Sequence, residues 1–198
     1  MTEIILFSED TLIEQAAQKI IAVENPKLTV SNVMGRRGFS YFQSRIGQIR
    51  RSAASLKFLV FLDGDELGTT CPSDAINQWF QTRQPENIHI RFAFHEVESW
   101  LLADKHNLAA FLNVSARAIP AVGDSVRNTK ELLIQLARRS RSREILQDLV
   151  PPPGFTSTVG PAYNSRVSEF IQTRWDVRAA AAGNESLARA CRRVAAIK

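Results

Sequence analysis

Three short segments of this chain, each largely apolar, run directly into acidic residues, and this pattern restricts the folds open to the chain. Such runs, rich in Ile, Val and Phe, are typical of parallel strands that are covered on both faces. Parallel sheets place their functional groups just beyond the carboxyl ends of the strands. The segments are residues 4–7 before Glu9 and Asp10, residues 58–62 before Asp63 and Asp65, and residues 90–94 before Glu96 and Glu98. We therefore expect carboxylates from distant parts of the sequence to meet at one edge of a sheet.

A cluster of carboxylates needs a counter-charge. Like charges crowded within a few ångströms repel and raise one another's pKa, whereas a divalent cation with oxygen ligands relieves that repulsion. The sequence therefore predicts a site for Mg²⁺ or Mn²⁺. Asp63 and Asp65 are two residues apart, so an extended turn would point both to one side.

The rest of the pattern alternates strands and helices over residues 1–112. Strands are predicted at residues 3–7, 28–33, 58–62 and 88–94, and helices at residues 11–23, 41–54, around 72–80 and 97–112. This order predicts an α/β fold with a parallel four-stranded sheet flanked by helices. Residues 113–198 carry only helical patterns, at 130–136, 143–149, 167–175 and 187–194. Their apolar stripes need a partner surface, which predicts a helical C-terminal extension packed on the 1–112 core.

Composition excludes several classes of protein. No apolar run approaches the length of a membrane span, and residues 1–7 lack the basic start and cleavage region of a signal peptide. We therefore expect a cytoplasmic protein without a membrane partner. Cys71 and Cys191 are far apart and show no CxxC spacing, which argues against a disulfide framework or a zinc site.

The net charge of +5 is unevenly distributed. One basic group lies in residues 36–57 and a second in residues 138–143. Such groups can neutralise phosphates along a nucleic acid, although each could also be a solvated helix face. Beside an acidic metal centre, the first group predicts nucleic-acid binding by Arg36, Arg37, Arg45, Arg50 and Arg51.

The acidic turns also resemble a known family. Glu9 after the first strand, Asp63-Gly64-Asp65 after the third and the acidic turn after the fourth resemble the Toprim domain, the metal-binding catalytic domain of topoisomerases, bacterial primases and overcoming-lysogenisation-defect nucleases. The stretch HEVESWLLAD from His95 to Asp104 is similar to the signature of a bacterial family of Toprim-like proteins often encoded beside ATPases in phage-defence loci. The chain departs from the Toprim pattern at Asp10, where a glycine is usual.

The resemblance implies a metal-dependent nucleic-acid phosphodiesterase that acts on DNA or RNA and works with an ATPase partner in anti-phage defence; homo-oligomerisation stays open. In Toprim nucleases carboxylates hold magnesium ions that activate water and stabilise the leaving oxygen, and a lysine can stabilise the transition state. Carried over to this chain, the catalytic residues are Glu9, Asp63, Asp65, Glu96 and Lys130. Glu98 is an alternative metal ligand. If a helix has begun by Glu96, the two glutamates diverge by about 200° and only one can reach the metal, with Glu96 nearer the strand end.

Each residue also has a structural interpretation. Glu9 or Asp10 could cap a helix, His95 could be a hydrogen-bonded structural residue, and Lys130 could lie on an amphipathic helix without a catalytic role. Tyr163, after a Gly-Pro turn, could touch substrate. Two rival functions remain: a dehalogenase-like phosphatase, because Asp63-Gly64-Asp65 also resembles that nucleophile loop, and a non-catalytic Toprim-like subunit that binds nucleic acid or an ATPase.

Overall fold

The computed structural model describes residues 2–67, 71–81, 84–121 and 127–198, and within these ranges the chain forms a four-stranded, all-parallel sheet with helices on both faces. The strand order is β2-β1-β3-β4. The predicted α/β class and parallel sheet are therefore confirmed. The elements of this part are β1 (Thr2–Ser8), α1 (Thr11–Glu24), β2 (Leu28–Gly35), α2 (Phe39–Ser52), β3 (Phe58–Asp63), a 3₁₀ turn (Asp65–Leu67), α3 (Pro72–Phe80) and β4 (Ile88–Ala93).

The register of the two central strands and β4 brings their carboxyl ends to one level. Ser8 at the end of β1 pairs with Phe61 of β3, and Asp63 at the end of β3 pairs with Ala93 of β4. Residues that follow these strands, including Glu9, therefore leave the sheet at the same edge.

Further helices follow the sheet: α4 (Val97–Ala103), α5 (Lys105–Leu112), a 3₁₀ turn (Ala116–Ala118), α6 (Thr129–Ala137), α7 (Arg143–Leu149), α8 (Tyr163–Thr173), α9 (Val177–Ala181) and α10 (Glu185–Ala195). Helices α8 and α10 pack on α1, and α10 also packs on β4. Their apolar side chains join a single buried cluster with β1, α1, β3 and α4, which contains Trp100 and Trp175. The opposite face of the sheet is covered by α2 and α3. No helix in the described ranges is long and apolar enough to cross a membrane.

Two helix predictions are wrong. The single helix expected over residues 97–112 is two helices, because the chain breaks at Asp104, which leaves helical geometry (φ −84°, ψ 67°) and caps α5 with its side chain. The helix expected over residues 167–175 begins earlier, at Tyr163, and ends before Trp175. Helix α9 was not predicted, since its five residues are too short to show a period.

Candidate functional site

Glu9 and Asp63 meet at the carboxyl edge of the sheet. Glu9 is 8% exposed, and its Oε2 accepts a hydrogen bond from the Asp63 backbone N–H at 3.0 Å. Its neighbour Asp10 accepts from the Ile13 N–H at 2.9 Å and so caps α1. Asp10 therefore satisfies the helix, while the Glu9 carboxylate lies across the end of β3.

The Asp63 carboxyl group is electrostatically strained. Its Oδ1 is enclosed and has no hydrogen-bond partner among the described residues. Burial raises the pKa of Asp63 well above its usual value, and the charges of Glu98, Asp10 and Glu9 raise it further, while Lys130 partly offsets them. Acids that follow two other strands, β1 and β4, therefore act on the carboxyl group at the end of β3.

Glu96 and Glu98 both face Lys130. Glu96 is still extended (φ −130°, ψ 160°) and is the residue before the first turn of α4, so the helix has not begun there. The condition under which the two side chains would diverge is therefore not met. The Lys130 Nζ lies 3.8 Å from the Oε1 of each glutamate. Burial lowers the pKa of Lys130, but the carboxylates of Glu98, Glu96 and Asp63 outweigh burial and leave that pKa raised.

Glu96 also fixes the start of α6. Its Oε2 accepts from the Thr129 hydroxyl at 3.0 Å and from the Lys130 backbone N–H at 2.8 Å. The second contact satisfies a backbone N–H of the first turn, where such groups have no partner within the helix. Glu96 thus holds Lys130 at the sheet edge, an arrangement that connects segments more than 30 residues apart and leaves no local signal in the sequence.

Glu98 is buried at 1% exposure. Its Oε1 accepts from the Tyr163 hydroxyl at 2.7 Å, and its Oε2 is enclosed without a hydrogen-bond partner in the described part of the chain. Burial raises the pKa of Glu98, although Lys130 and the Tyr163 hydroxyl favour its charged form. Tyr163 itself is only 3% exposed, so it supports Glu98 from inside the fold and is not a surface contact for substrate.

Asp65 follows Asp63 by two residues and contacts His95. The chain enters a 3₁₀ turn at Asp65, and its Oδ1 is 3.2 Å from the His95 Nδ1. Between the two aspartates, the Gly64 N–H donates to the carbonyls of Ala93 at 2.8 Å and His95 at 3.0 Å. A Cβ at Gly64 would lie 3.1 Å from the Ala93 carbonyl oxygen, so the close approach of the two turns favours glycine.

The residue types at the acidic edge suit a hard cation such as Mg²⁺, but the described side chains there are not arranged around a common point. Within the described residues, no group of three or more His, Cys, Asp or Glu side chains is arranged to hold a metal ion. However, Asp63 Oδ1 and Glu98 Oε2 are buried carboxylate oxygens without partners, and carboxylate oxygens are the ligands that Mg²⁺ prefers. The donor set therefore fits such an ion, with Glu9 alongside, while Lys130 supplies part of the counter-charge.

The predicted nucleic-acid-binding arginines are engaged to different degrees. Arg36 forms a two-pronged ion pair with the buried Glu14 of α1, through Nε to Oε2 and through Nη2 to Oε1. The guanidinium groups of Arg37 and Arg45 lie 4.9 Å and 5.0 Å from the centre of the Tyr41 ring. The Arg50 Nη1 donates to the Phe80 carbonyl at 3.3 Å, and Arg51 is exposed. Arg36 therefore serves the fold, Arg37, Arg45 and Arg50 contact neighbouring groups, and nucleic-acid binding by this segment stays a prediction.

Comparison of the chain with protein-family models, curated proteins and solved structures finds no match. The likeness to Toprim domains therefore stays an interpretation of the sequence motifs.

Proposed function

We propose that this protein is a metal-dependent nucleic-acid phosphodiesterase. The observation that carries the proposal is the meeting, at one edge of a parallel sheet, of Glu9, Asp63 and Glu98 with Lys130, where two buried carboxylate oxygens lack partners. An anionic edge of this kind is stabilised by a divalent cation. Its role in anti-phage defence beside an ATPase stays a prediction from the resemblance.

The residues would divide the work as follows. Asp63, Glu98 and Glu9 would hold the cation, with Glu96 and Asp65 at its margin. A bound Mg²⁺ supplies a more acidic water and charge stabilisation at a phosphoryl oxygen. The Lys130 side chain is 40% exposed, so its ammonium group is available to a non-bridging phosphate oxygen. Glu96 orients Lys130 through the backbone of α6.

Cleavage by purified protein tests the proposal. Supercoiled plasmid, single-stranded DNA and RNA would each be incubated with wild type in Mg²⁺, Mn²⁺ or EDTA. We expect cleavage only with metal, and a loss of roughly two orders of magnitude or more in Asp63→Asn, because an essential ligand is removed. Glu3→Gln is the matched control, since Glu3 is exposed and lies at the amino end of β1, away from the acidic edge. Absence of metal-dependent cleavage of all three substrates would refute the proposal.

A second function is favoured by one observation. Lys130 lies equally close to Glu96 and Glu98, so an ammonium group already neutralises part of the acidic edge without a metal ion. A non-catalytic subunit that binds nucleic acid or an ATPase could retain such a site for structure. That function predicts nucleic-acid binding that EDTA does not change and no cleavage by the wild type.

A further inference from the structure

An open cavity of about 840 Å³ adjoins the acidic edge. One side is α6 together with its C-terminal cap, which contribute Lys130, Ile134 and Arg138. The other side is the loop between α7 and α8, which contributes Pro152 and Phe155. Glu96 also lines it, so the cavity reaches two of the candidate catalytic residues, Glu96 and Lys130.

Phe155 presents an aromatic ring to solvent from a loop whose base is fixed. Its residue exposure is 71%, and among the described residues the other large exposed apolar side chain is Leu56 at 43%. At the base of the loop, the Gly160 N–H donates to the Leu149 carbonyl at 2.9 Å, and a Cβ at Gly160 would lie 2.4 Å from the Asp148 carbonyl oxygen. Three prolines, at residues 151–153, restrict the loop further. An exposed ring held in this way is available for stacking.

The charges along α6 suit a phosphate backbone. Arg138 is exposed and forms no ion pair within the described ranges, and Lys130 lies at the other end of the cavity. The backbone rises about 12 Å along the helix from Lys130 to the cap residue Arg138, the span of three to four nucleotides at the spacing of a stacked strand. Glu131 and Glu96 also line the cavity, so phosphates would follow the two cations and not the whole surface.

We infer that this cavity binds single-stranded nucleic acid, with a base stacked on Phe155 and phosphates at Arg138 and Lys130. A base inside a duplex hides its faces against its neighbours, whereas an unpaired base can stack on an aromatic side chain. The inference deepens the proposed function by naming the form of its substrate, but the binding step needs no metal and can be measured by itself.

Fluorescence anisotropy in EDTA, with a short labelled oligonucleotide as single-stranded DNA, single-stranded RNA or duplex DNA, tests the aromatic contact. Phe155→Ala should weaken single-strand binding by roughly 5- to 150-fold, the loss expected for one stacked base. Phe155→Trp should restore it. Leu56→Ala removes the other exposed apolar side chain, outside the cavity lining, and should leave binding unchanged. The DNA and RNA arms identify the sugar.

The phosphate contact of Arg138 is tested by one variant and one control variant. Arg138→Gln should weaken binding and reduce the salt dependence of log K by about 0.7, the value for one lost phosphate contact on a single strand. Arg139→Gln, at the next exposed arginine and outside the cavity lining, should do neither.

The outcomes separate this inference from the proposed function. Unchanged single-strand affinity in Phe155→Ala, equally tight duplex binding with the same sensitivity to Phe155→Ala, or no oligonucleotide binding by wild type would each overturn the inference. Single-strand binding that depends on Phe155 supports it even if no substrate is cleaved, in which case the nuclease proposal alone fails. Equal melting temperatures of wild type and Phe155→Ala verify that the variant is folded.

Discussion

Asp63 is destabilising as a buried charge in the fold, although the proposed metal site needs that charge. Burial and three neighbouring acids disfavour its charged form, and one of its oxygens has no partner among the described residues. Above its raised folded pKa the group is charged in both the folded and the unfolded state, and the folded protein is destabilised. As the pH falls through that pKa, the folded state takes up a proton before the unfolded state does, so this contribution to stability rises.

Replacement of Asp63 by Asn should therefore stabilise the metal-free protein. At pH 7 in EDTA we expect Asp63→Asn to raise the free energy of unfolding by about 1 to 2 kcal/mol, because the buried charge is removed. Mg²⁺ should raise the melting temperature of wild type by mass action and should do so far less in the variant. Thermal melts with and without Mg²⁺ measure both effects.

Glu3→Gln provides the comparison, since it removes an exposed carboxylate from the amino end of β1. It should retain the full response to Mg²⁺. If Mg²⁺ stabilises wild type and Asp63→Asn equally, Asp63 does not share in a cation site.

At the level of single residues, the sequence located the acids but not their partners. The apolar strands ending at Phe7 and Leu62 place Glu9 and Asp63 together, because parallel strands end at one edge. The Tyr163 hydroxyl on Glu98 joins residues 65 positions apart, and Arg36 on Glu14 joins a loop to a helix. Such contacts depend on how elements pack in three dimensions, and no local period records that packing.

At the level of elements, the break between α4 and α5 depends on Asp104. Its Oδ2 accepts from the Asn107 amide at 2.9 Å and from the Asp176 backbone N–H at 2.7 Å, and Asp104 is 3% exposed. Residues 97–112 contain neither Gly nor Pro, and their apolar spacing continues through the break. The sequence therefore predicts one helix. In the structure, a tertiary contact between Asp104 and the start of α9 stabilises the break into two helices.

Loss of the Asp104 side chain should consequently weaken two elements at once. We expect Asp104→Ala to lower the free energy of unfolding by about 2 to 3 kcal/mol, because the cap of α5 and a buried acceptor for Asp176 are both lost. Asp104→Asn keeps one acceptor oxygen and should cost less. Urea denaturation of the three proteins measures the difference; a cost below about 0.5 kcal/mol for Asp104→Ala would show that the break is set by packing alone.

At the level of the whole molecule, the C-terminal helices pack against the rest of the fold. They cover the face of α1, place Lys130 at the acidic edge through Glu96, and bring α10 against the edge strand β4. The sequence predicts that the apolar stripes of these helices need a partner surface. It does not predict which face they cover, because the pairing of α1 with α8 and α10 joins positions more than 130 residues apart.

The same packing makes one side of the molecule strongly basic. His89 and Arg91 lie on β4, Arg189 and Arg193 lie on α10, and Lys57 precedes β3. Burial, then repulsion from Arg193 and Arg189, lowers the pKa of Arg91 to about 10. Burial, then repulsion from Arg193, Arg91 and Lys57, lowers the pKa of His89 to about 4. This side therefore resists any further positive charge, and the His89 ring stays neutral in the folded protein down to about pH 4.

The depressed pKa of His89 predicts a loss of stability in mild acid. Between pH 6.5 and about 4 the unfolded state binds a proton at this ring while the folded state does not, so the stability present above pH 6.5 declines through that window and is flat below it. We expect the free energy of unfolding of wild type to fall by about 1 to 2 kcal/mol relative to His89→Gln, less than the whole pKa shift implies because the ring is half-buried.

Carboxyl groups titrate in both proteins, so the difference between their unfolding free energies isolates His89. His106→Gln, at an exposed histidine on α5, should follow wild type. Parallel curves for wild type and His89→Gln across this window would mean that the basic side of β4 admits the imidazolium without penalty.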